Sequence, residues 1–332
     1  MTITVCCKAS TRIGLGHLIR SSSFVNQILA VRNDIVFRYI LIGDPAFKKL
    51  ITTSGLHVSC YTSEHDVTVE LSDIVIFDMM SIETELLEKF KRSTKKTVIF
   101  SPLFNHFEQM DYYFGRTKYL DFEQSAYPNM TIYAGLEYAI IQENCRPISA
   151  GTFEDNLNAS HFPIAVIMGG GDATNKTLNV LKALKKCRVP ATFWVMVGEG
   201  YKHSIDELVD EIRKDTTHEI ILAKTNKSMW RILNNCVLCI LPGGITTFEA
   251  VYAGLPTINF FDHDSQRFLL TELVEHGAAY DFGVYSHDTL SRVSDFIEEM
   301  YVNRKQLLKI HVNTKTLIDN QGSQRILNKL LQ

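Results

Sequence analysis

Short apolar runs alternate with longer segments whose apolar positions recur at helical spacing, from one end of the chain to the other. Strands joined by crossover helices produce this pattern, which predicts an α/β protein built on parallel sheets. In the first half the predicted strands cover 3–7, 36–42, the region of Val58, 74–77 and 98–100. Residues 111–136 are rich in Tyr and Phe with little helical period, and read as a final strand with loops. Residues 142–162 are polar and carry Pro, Gly, Ser and Asn, so a linker and a domain boundary are expected there. The alternation then restarts, with strands expected over 164–168, 191–197, 219–222, 237–241 and 257–261 and a closing amphipathic helix over 304–331. The expected organisation is two facing, doubly wound domains, 1–145 and 160–332, with the terminal helix free to pack back on the first.

Composition narrows the function classes. The 332 residues suit two domains of roughly 150 residues each. Thirty-four Lys and Arg against 37 Asp and Glu leave a net charge of −3, too balanced for an overall electrostatic grip on nucleic acid or an acidic membrane. No stretch approaches the ~18 apolar residues of a membrane span, and the chain runs straight into a strand. A cytoplasmic protein without a transmembrane segment or secretory signal is therefore expected. The seven cysteines are odd in number and most lie in apolar runs, which suits reduced thiols. Cys236 and Cys239 have zinc-knuckle spacing but no second pair, so no metal is expected there.

Three glycine turns stand at predicted strand ends. The first, Thr11-Arg12-Ile13-Gly14-Leu15-Gly16-His17-Leu18-Ile19-Arg20, leads into a helix near His17. It lacks the third glycine of a dinucleotide fingerprint and the lysine and hydroxyl of a P-loop, which disfavours a redox cofactor and ATP. His17 stands at the carboxyl end of the sheet, where open α/β folds bind ligands, and either acts there or merely caps the turn. The second turn is Met168-Gly169-Gly170-Gly171-Asp172-Ala173-Thr174-Asn175, and the third is Leu241-Pro242-Gly243-Gly244-Ile245-Thr246-Thr247-Phe248-Glu249-Ala250. Threonines that open a helix can cap it or donate to phosphate, and a carboxylate one turn on suits paired sugar hydroxyls. Tight packing alone is the competing explanation for the glycines.

Gly14-Leu15-Gly16-His17 with Arg20, Met168-Gly169-Gly170 with Asp172 and Asn175, and 243–250 with Gly254-Leu255-Pro256 resemble the UDP-sugar hydrolases of the pseudaminic-acid pathway. Tyr133-Ala134-Gly135-Leu136-Glu137-Tyr138-Ala139-Ile140-Ile141 matches the same family. These enzymes are relatives of the GT-B glycosyltransferases that include the lipid II N-acetylglucosaminyltransferase. The resemblance covers residues 3–280 and implies two Rossmann-like domains facing across a cleft. It implies a nucleotide site at Gly169, Gly170, Gly171 and Asn175 and at Gly243, Gly244, Thr246 and Thr247, with Glu249 on the ribose. It also implies a substrate region at Gly14, Gly16, Arg20, Asp264 and Gln266. The implied reaction cleaves the anomeric bond of a UDP-sugar with inversion, releases UDP and needs no metal or other cofactor. Three departures stand out: Phe77-Asp78-Met79-Met80 lacks the aromatic partner usual after the fourth strand, Ser101-Pro102-Leu103-Phe104-Asn105 lacks the usual paired Asp, and Asp264-Ser265-Gln266 stands where an Asn-Gln pair is expected near the sugar.

In that chemistry a base must take the nucleophile's proton, and an imidazole with an ordinary titration range suits the task. His17 is the first choice, with Asp78 as its orienter or as the base itself. Arg20, one turn on, is expected to contact phosphate or carboxylate. Trp230, following Lys227-Ser228-Met229, stands where the base of the nucleotide is expected, whereas Met79, Met80 and Tyr112-Tyr113-Phe114 read as packing. Hydrolysis is the first reading. Transfer of the sugar to a glycan or other acceptor is the alternative, and a non-catalytic nucleotide-sugar binder the third.

Overall fold

The structure, a computed structural model, describes residues 1–51, 53, 55–224 and 229–332. The elements run β1 (Thr2–Ala9), α1 (Gly16–Leu29), β2 (Val36–Gly43), β3 (His57–Tyr61), β4 (Ser72–Asp78), α2 (Thr84–Ser93), β5 (Thr94–Ile99), β6 (Tyr112–Gly115) and β7 (Thr131–Ala134). They continue with α3 (Ala150–Leu157), β8 (Phe162–Ile167), α4 (Lys176–Leu184), β9 (Ala191–Val197), α5 (Ile205–Arg213), β10 (Glu219–Lys224), α6 (Met229–Leu233), β11 (Leu238–Leu241) and α7 (Ile245–Ala253). Last come β12 (Thr257–Phe261), α8 (Thr271–Glu275), β13 (Ala279–Val284), α9 (His287–Val302), α10 (Arg304–Thr314) and α11 (Gly322–Leu330). The chain divides into two compact units, Met1–Glu143 with Asp319–Gln332, and Asn144–Ile318.

Each unit is built on one parallel sheet, ordered β3-β2-β1-β4-β5-β6-β7 in the first and β10-β9-β8-β11-β12-β13 in the second. Both orders reverse direction once, between β1 and β4 and between β8 and β11. Open α/β sheets leave a crevice at the carboxyl ends of the strands flanking such a switch, because the crossover helices depart to opposite faces there. In β1, Ile3, Val5, Cys7 and Ala9 enter one core and Cys6 the other, which is why both phases of the strand are apolar. Ile326, Leu327 and Leu330 of α11 join the first of these cores. Burial stabilises each by roughly 1.5–3 kcal/mol, enough to hold the end of the chain on the first unit.

Four local expectations differ from the structure. The aromatic segment 111–136 contributes two short strands, β6 and β7, which pair with each other and carry a stacked Phe114–Tyr133 contact at 5.1 Å. The polar linker contains α3, started by Ser149 Oγ accepting from the Thr152 amide at 3.0 Å and anchored by Phe153 and Leu157. β13 escaped prediction because Asp281 and the positive φ of Gly283 interrupt its apolar run. The closing helix is two, α10 and α11; α11 begins at Gly322, where a side chain would strike the Ala139 carbonyl oxygen.

Candidate functional site

In the first unit, chemistry gathers at the β1/β4 switch. The chain leaves β1 through a tight turn in which the Gly14 amide donates to Ser10 O at 2.8 Å and the Ile13 amide to Ser10 Oγ at 3.0 Å. Gly14 has φ +92°, a conformation that favours glycine, and the space beside it is open. α1 then starts at Gly16 with no side-chain cap, so the imidazole of His17 is not used to close the turn. Instead His17 Nδ1 lies 2.7 Å from Asp78 Oδ1. An ionised carboxylate only accepts, so Nδ1 carries the hydrogen, and in the neutral ring Nε2 is then the acceptor.

Arg20, three residues on and on the same face of α1, grips the same carboxylate, Nε to Oδ2 at 2.9 Å and Nη2 to Oδ1 at 2.5 Å. Asp78 is fully buried and Arg20 is 6% exposed. Burial alone would push the Asp78 carboxyl up, but the Arg20 guanidinium and the His17 bond together hold it below the usual carboxylate range. Arg20 is likewise raised, against burial, by Asp78. Its contact is therefore with Asp78. The Tyr113 phenol, buried in the same unit, is pushed up to about 12 by burial although Arg116 and Arg20 pull the other way. Met80 is exposed, and Asn105 holds the loop after β4 by accepting from the Ile82 amide and donating to its carbonyl, both at 3.0 Å.

In the second unit the two remaining turns flank the β8/β11 switch and approach each other: a Cβ on Gly169 would sit 3.8 Å from the Pro242 ring. They differ in what occupies the helix behind them. After β8, the Asp172 carboxylate accepts from the amides of Lys176 at 2.7 Å and Thr177 at 2.9 Å, so the start of α4 already holds an anion. Gly170 packs against Gly198 and accepts from the Gly200 amide at 2.9 Å, and Gly171 also lies close to Gly200. Asn175 Oδ1 accepts from Tyr201 at 2.8 Å. After β11, α7 has Gly244 at its N-cap, no side-chain cap and no acidic residue in its first turn. Gly243 is confined by the Phe261 ring, whereas a Cβ on Gly244 would meet only open space.

The two threonines of that turn part company. Thr247 is fully buried and donates to Asn259 Oδ1 at 2.7 Å, inside the sheet, while Thr246 is half-buried at the start of the helix. Glu249, one turn further, is 1% exposed. Asp264 is exposed and accepts from Arg267 at 2.9 Å, and Gln266 accepts from the Asp262 amide at 3.2 Å, so both hold the segment after β12. Lys227 and Ser228 fall outside the described residues, and Trp230 is buried in α6. Cys236 and Cys239 are fully buried, and among the described residues no cluster of three His, Cys, Asp or Glu is arranged to hold a metal ion. No described helix is long and apolar enough to cross a membrane. Sequence reasoning missed two members of this region, the capping role of Asp172 and an ion pair between Lys176 and Asp262. The first was signalled by an acid four residues ahead of a helix, the second by nothing local.

No family model matches the chain. An uncharacterized protein of Methanocaldococcus jannaschii, MJ1062, is 24% identical over 283 residues, which is 80% of this chain and 57% of that protein. The chain thus spans little more than half the length of this relative. The spore coat polysaccharide biosynthesis protein SpsG of Bacillus subtilis is 26% identical over 265 residues, 76% of this chain and 75% of that protein. Among solved structures, MurG of Acinetobacter baumannii is similar with a TM-score of 0.63 at 12% identity, over 100% of this chain and 99% of that one. HepE of Anabaena, solved in complex with UDP-glucose, gives 0.61 at 15% identity, over 99% of each chain. The fold is the GT-B one, two parallel-sheet α/β domains of seven and six strands.

Proposed function

We propose that this chain is a UDP-sugar-dependent enzyme of surface-polysaccharide or nonulosonic-acid assembly, and that it hydrolyses the anomeric C–O bond of its substrate with inversion. The observation that carries this reading is the His17–Asp78–Arg20 trio, with Nδ1 of His17 engaged and Nε2 left as acceptor. Arg20 keeps Asp78 ionised, Asp78 fixes the ring, and Nε2 takes the proton of a water as its oxygen forms a bond to the anomeric carbon. The electron pair of the breaking bond goes to the diphosphate of UDP. The uncapped amides of α7 and the Thr246 hydroxyl meet that growing charge, so no metal is required for it. Glu249 binds the ribose. One displacement by a base-activated nucleophile inverts the anomeric centre.

The relatives support the setting. SpsG is named for spore coat polysaccharide biosynthesis, and HepE is solved with UDP-glucose. The test is incubation of the purified chain with UDP-sugars alone, with UDP release and the first-formed anomer followed by NMR. Free sugar of inverted configuration, with turnover unaffected by a chelator, is expected. Strict dependence on an added hydroxyl acceptor would replace hydrolysis by transfer, in which His17 deprotonates that hydroxyl instead. Absence of UDP binding would remove the nucleotide assignment.

A further inference from the structure

Lys176 is the first residue of α4, yet its side chain does not reach into solvent. It is 10% exposed, bonded to the Asp262 carboxylate, with its ammonium 5.5 Å from the centre of the Tyr285 ring. Asp262, by contrast, is 53% exposed. The pair therefore joins a largely desolvated cation to a hydrated anion. Its place in the sheet matters. Lys176 follows β8, Asp262 directly follows β12, and β11 lies between those two strands. Phe261, the residue before Asp262, is the ring against which Gly243 packs: a Cβ there would come within 2.6 Å of it. The ammonium thus ends one residue from the strand end that supports the third glycine turn.

We propose that Lys176 is a diphosphate-neutralising residue, held in the ligand-free protein by Asp262 and transferred to the diphosphate when the nucleotide binds. A mostly buried ammonium needs a counter-charge at all times. The exposed carboxylate supplies one and can be released to water at little cost, and a diphosphate carries more charge than it does. Asp262 is then a resting-state placeholder that also repels the incoming phosphates. This inference rests on the reading of the α7 turn as a UDP site and adds a cation to it.

Calorimetry with UDP, UMP and inorganic pyrophosphate on the intact chain tests it. Lys176→Met should weaken UDP about tenfold to a hundredfold and UMP much less, and Lys176→Arg should restore UDP to within about threefold. Asp262→Asn should tighten UDP about threefold to tenfold, because the competitor is gone. A purely structural ion pair would move both variants in the same direction. Unchanged UDP affinity in folded Lys176→Met, or weakening in both Lys176→Met and Asp262→Asn, overturns the inference and leaves the UDP reading intact. A wild-type chain that binds pyrophosphate through Lys176 but does not bind UDP overturns the uridine reading alone. Binding of neither overturns both.

Discussion

Replacing Asp78 by Asn preserves the outline of the side chain and removes its charge. Three donors converge on this carboxylate: His17 Nδ1 at 2.7 Å and Arg20 Nη2 at 2.5 Å on Oδ1, and Arg20 Nε at 2.9 Å on Oδ2. An amide offers one oxygen and one NH2. With its oxygen at the Oδ1 position, the NH2 confronts the Nε–H of Arg20. With the oxygen at Oδ2, the NH2 confronts Nη2 and donates to His17 Nδ1, which moves the ring hydrogen to Nε2 and removes the base. In both orientations a guanidinium that is 6% exposed loses its counter-charge, a loss of about 3–5 kcal/mol for a buried pair. At ~2–4 °C per kcal/mol for a unit of this size, Tm should fall by roughly 6–20 °C. Turnover should fall by about a hundredfold to ten-thousandfold, the range that general-base catalysis contributes. UDP affinity should hold, since the diphosphate is assigned to α7. Because His17 and Asp78 act as one group, the double variant with His17→Asn should be no more than a few-fold slower than the worse single one. Single-turnover UDP release at a temperature where all three variants are folded measures this. Asp78→Asn activity within threefold of wild type, or losses that multiply in the double variant, would refute the reasoning.

Gly244→Val should abolish UDP binding and leave Tm within about 2 °C, because its Cβ points into space that only a ligand would occupy, at a φ of −99° open to any residue; near-normal calorimetric affinity would remove the α7 turn from the site. Tyr113 links stability to alkaline pH: its phenol, pushed up to about 12, keeps its proton more tightly folded than unfolded. That contribution is fully present below the ordinary value near 10 and is lost as pH rises through 12, at about 1.4 kcal/mol per unit or roughly 2–3 kcal/mol in all. Tyr113→Phe should flatten this part of the urea-derived stability curve between about pH 9 and 11.5, and parallel curves for the two proteins would contradict the link.

The parts of the fold most legible in the sequence are those whose residues are covered on both sides. β9 and β12 are mostly apolar and almost wholly buried runs at Ala191–Val197 and Thr257–Phe261, interrupted only by Thr192, Thr257 and Asn259, and their ends fall where the pattern puts them. β13 is an edge strand paired only to β12, so Asp281 and Gly283 are tolerated in it and erase its signature. α3 rests on two buried side chains, Phe153 and Leu157, too few to give a period. The site shows the same division. Position follows from topology, since residues at the ends of β1 and β4 are neighbours across a switch, and this brings His17 and Asp78 together from 61 residues apart. Direction does not. Thr246 and Thr247 are equivalent in the motif, yet Thr247 is drawn inward by Asn259 on β12. Arg20 reads as a contact to phosphate or carboxylate, and nothing in its own segment shows that the carboxylate it grips is Asp78 at the end of β4. Lys176 and Asp262, 86 residues apart, carry no local mark of their pairing.

The two turns of the second unit show why glycine spacing alone does not locate an anion. Both follow a strand at the same switch, both open a helix of nine residues, and on the motif alone both would serve phosphate. At α4 the amides that would receive a ligand oxygen are bonded to Asp172, whose own φ of +42° shows the backbone bent into an uncommon conformation to deliver that carboxylate. A phosphate placed there would have to displace a covalently tethered anion and then sit beside its negative charge. At α7 the N-cap is Gly244, which has no side chain to compete, and the first turn carries no acidic residue to oppose the helix dipole. The same bonds that occupy the first amides of α4 make this turn useful in another way. By pinning the start of α4, Asp172 fixes the backbone from which Lys176 reaches Asp262 at the end of β12.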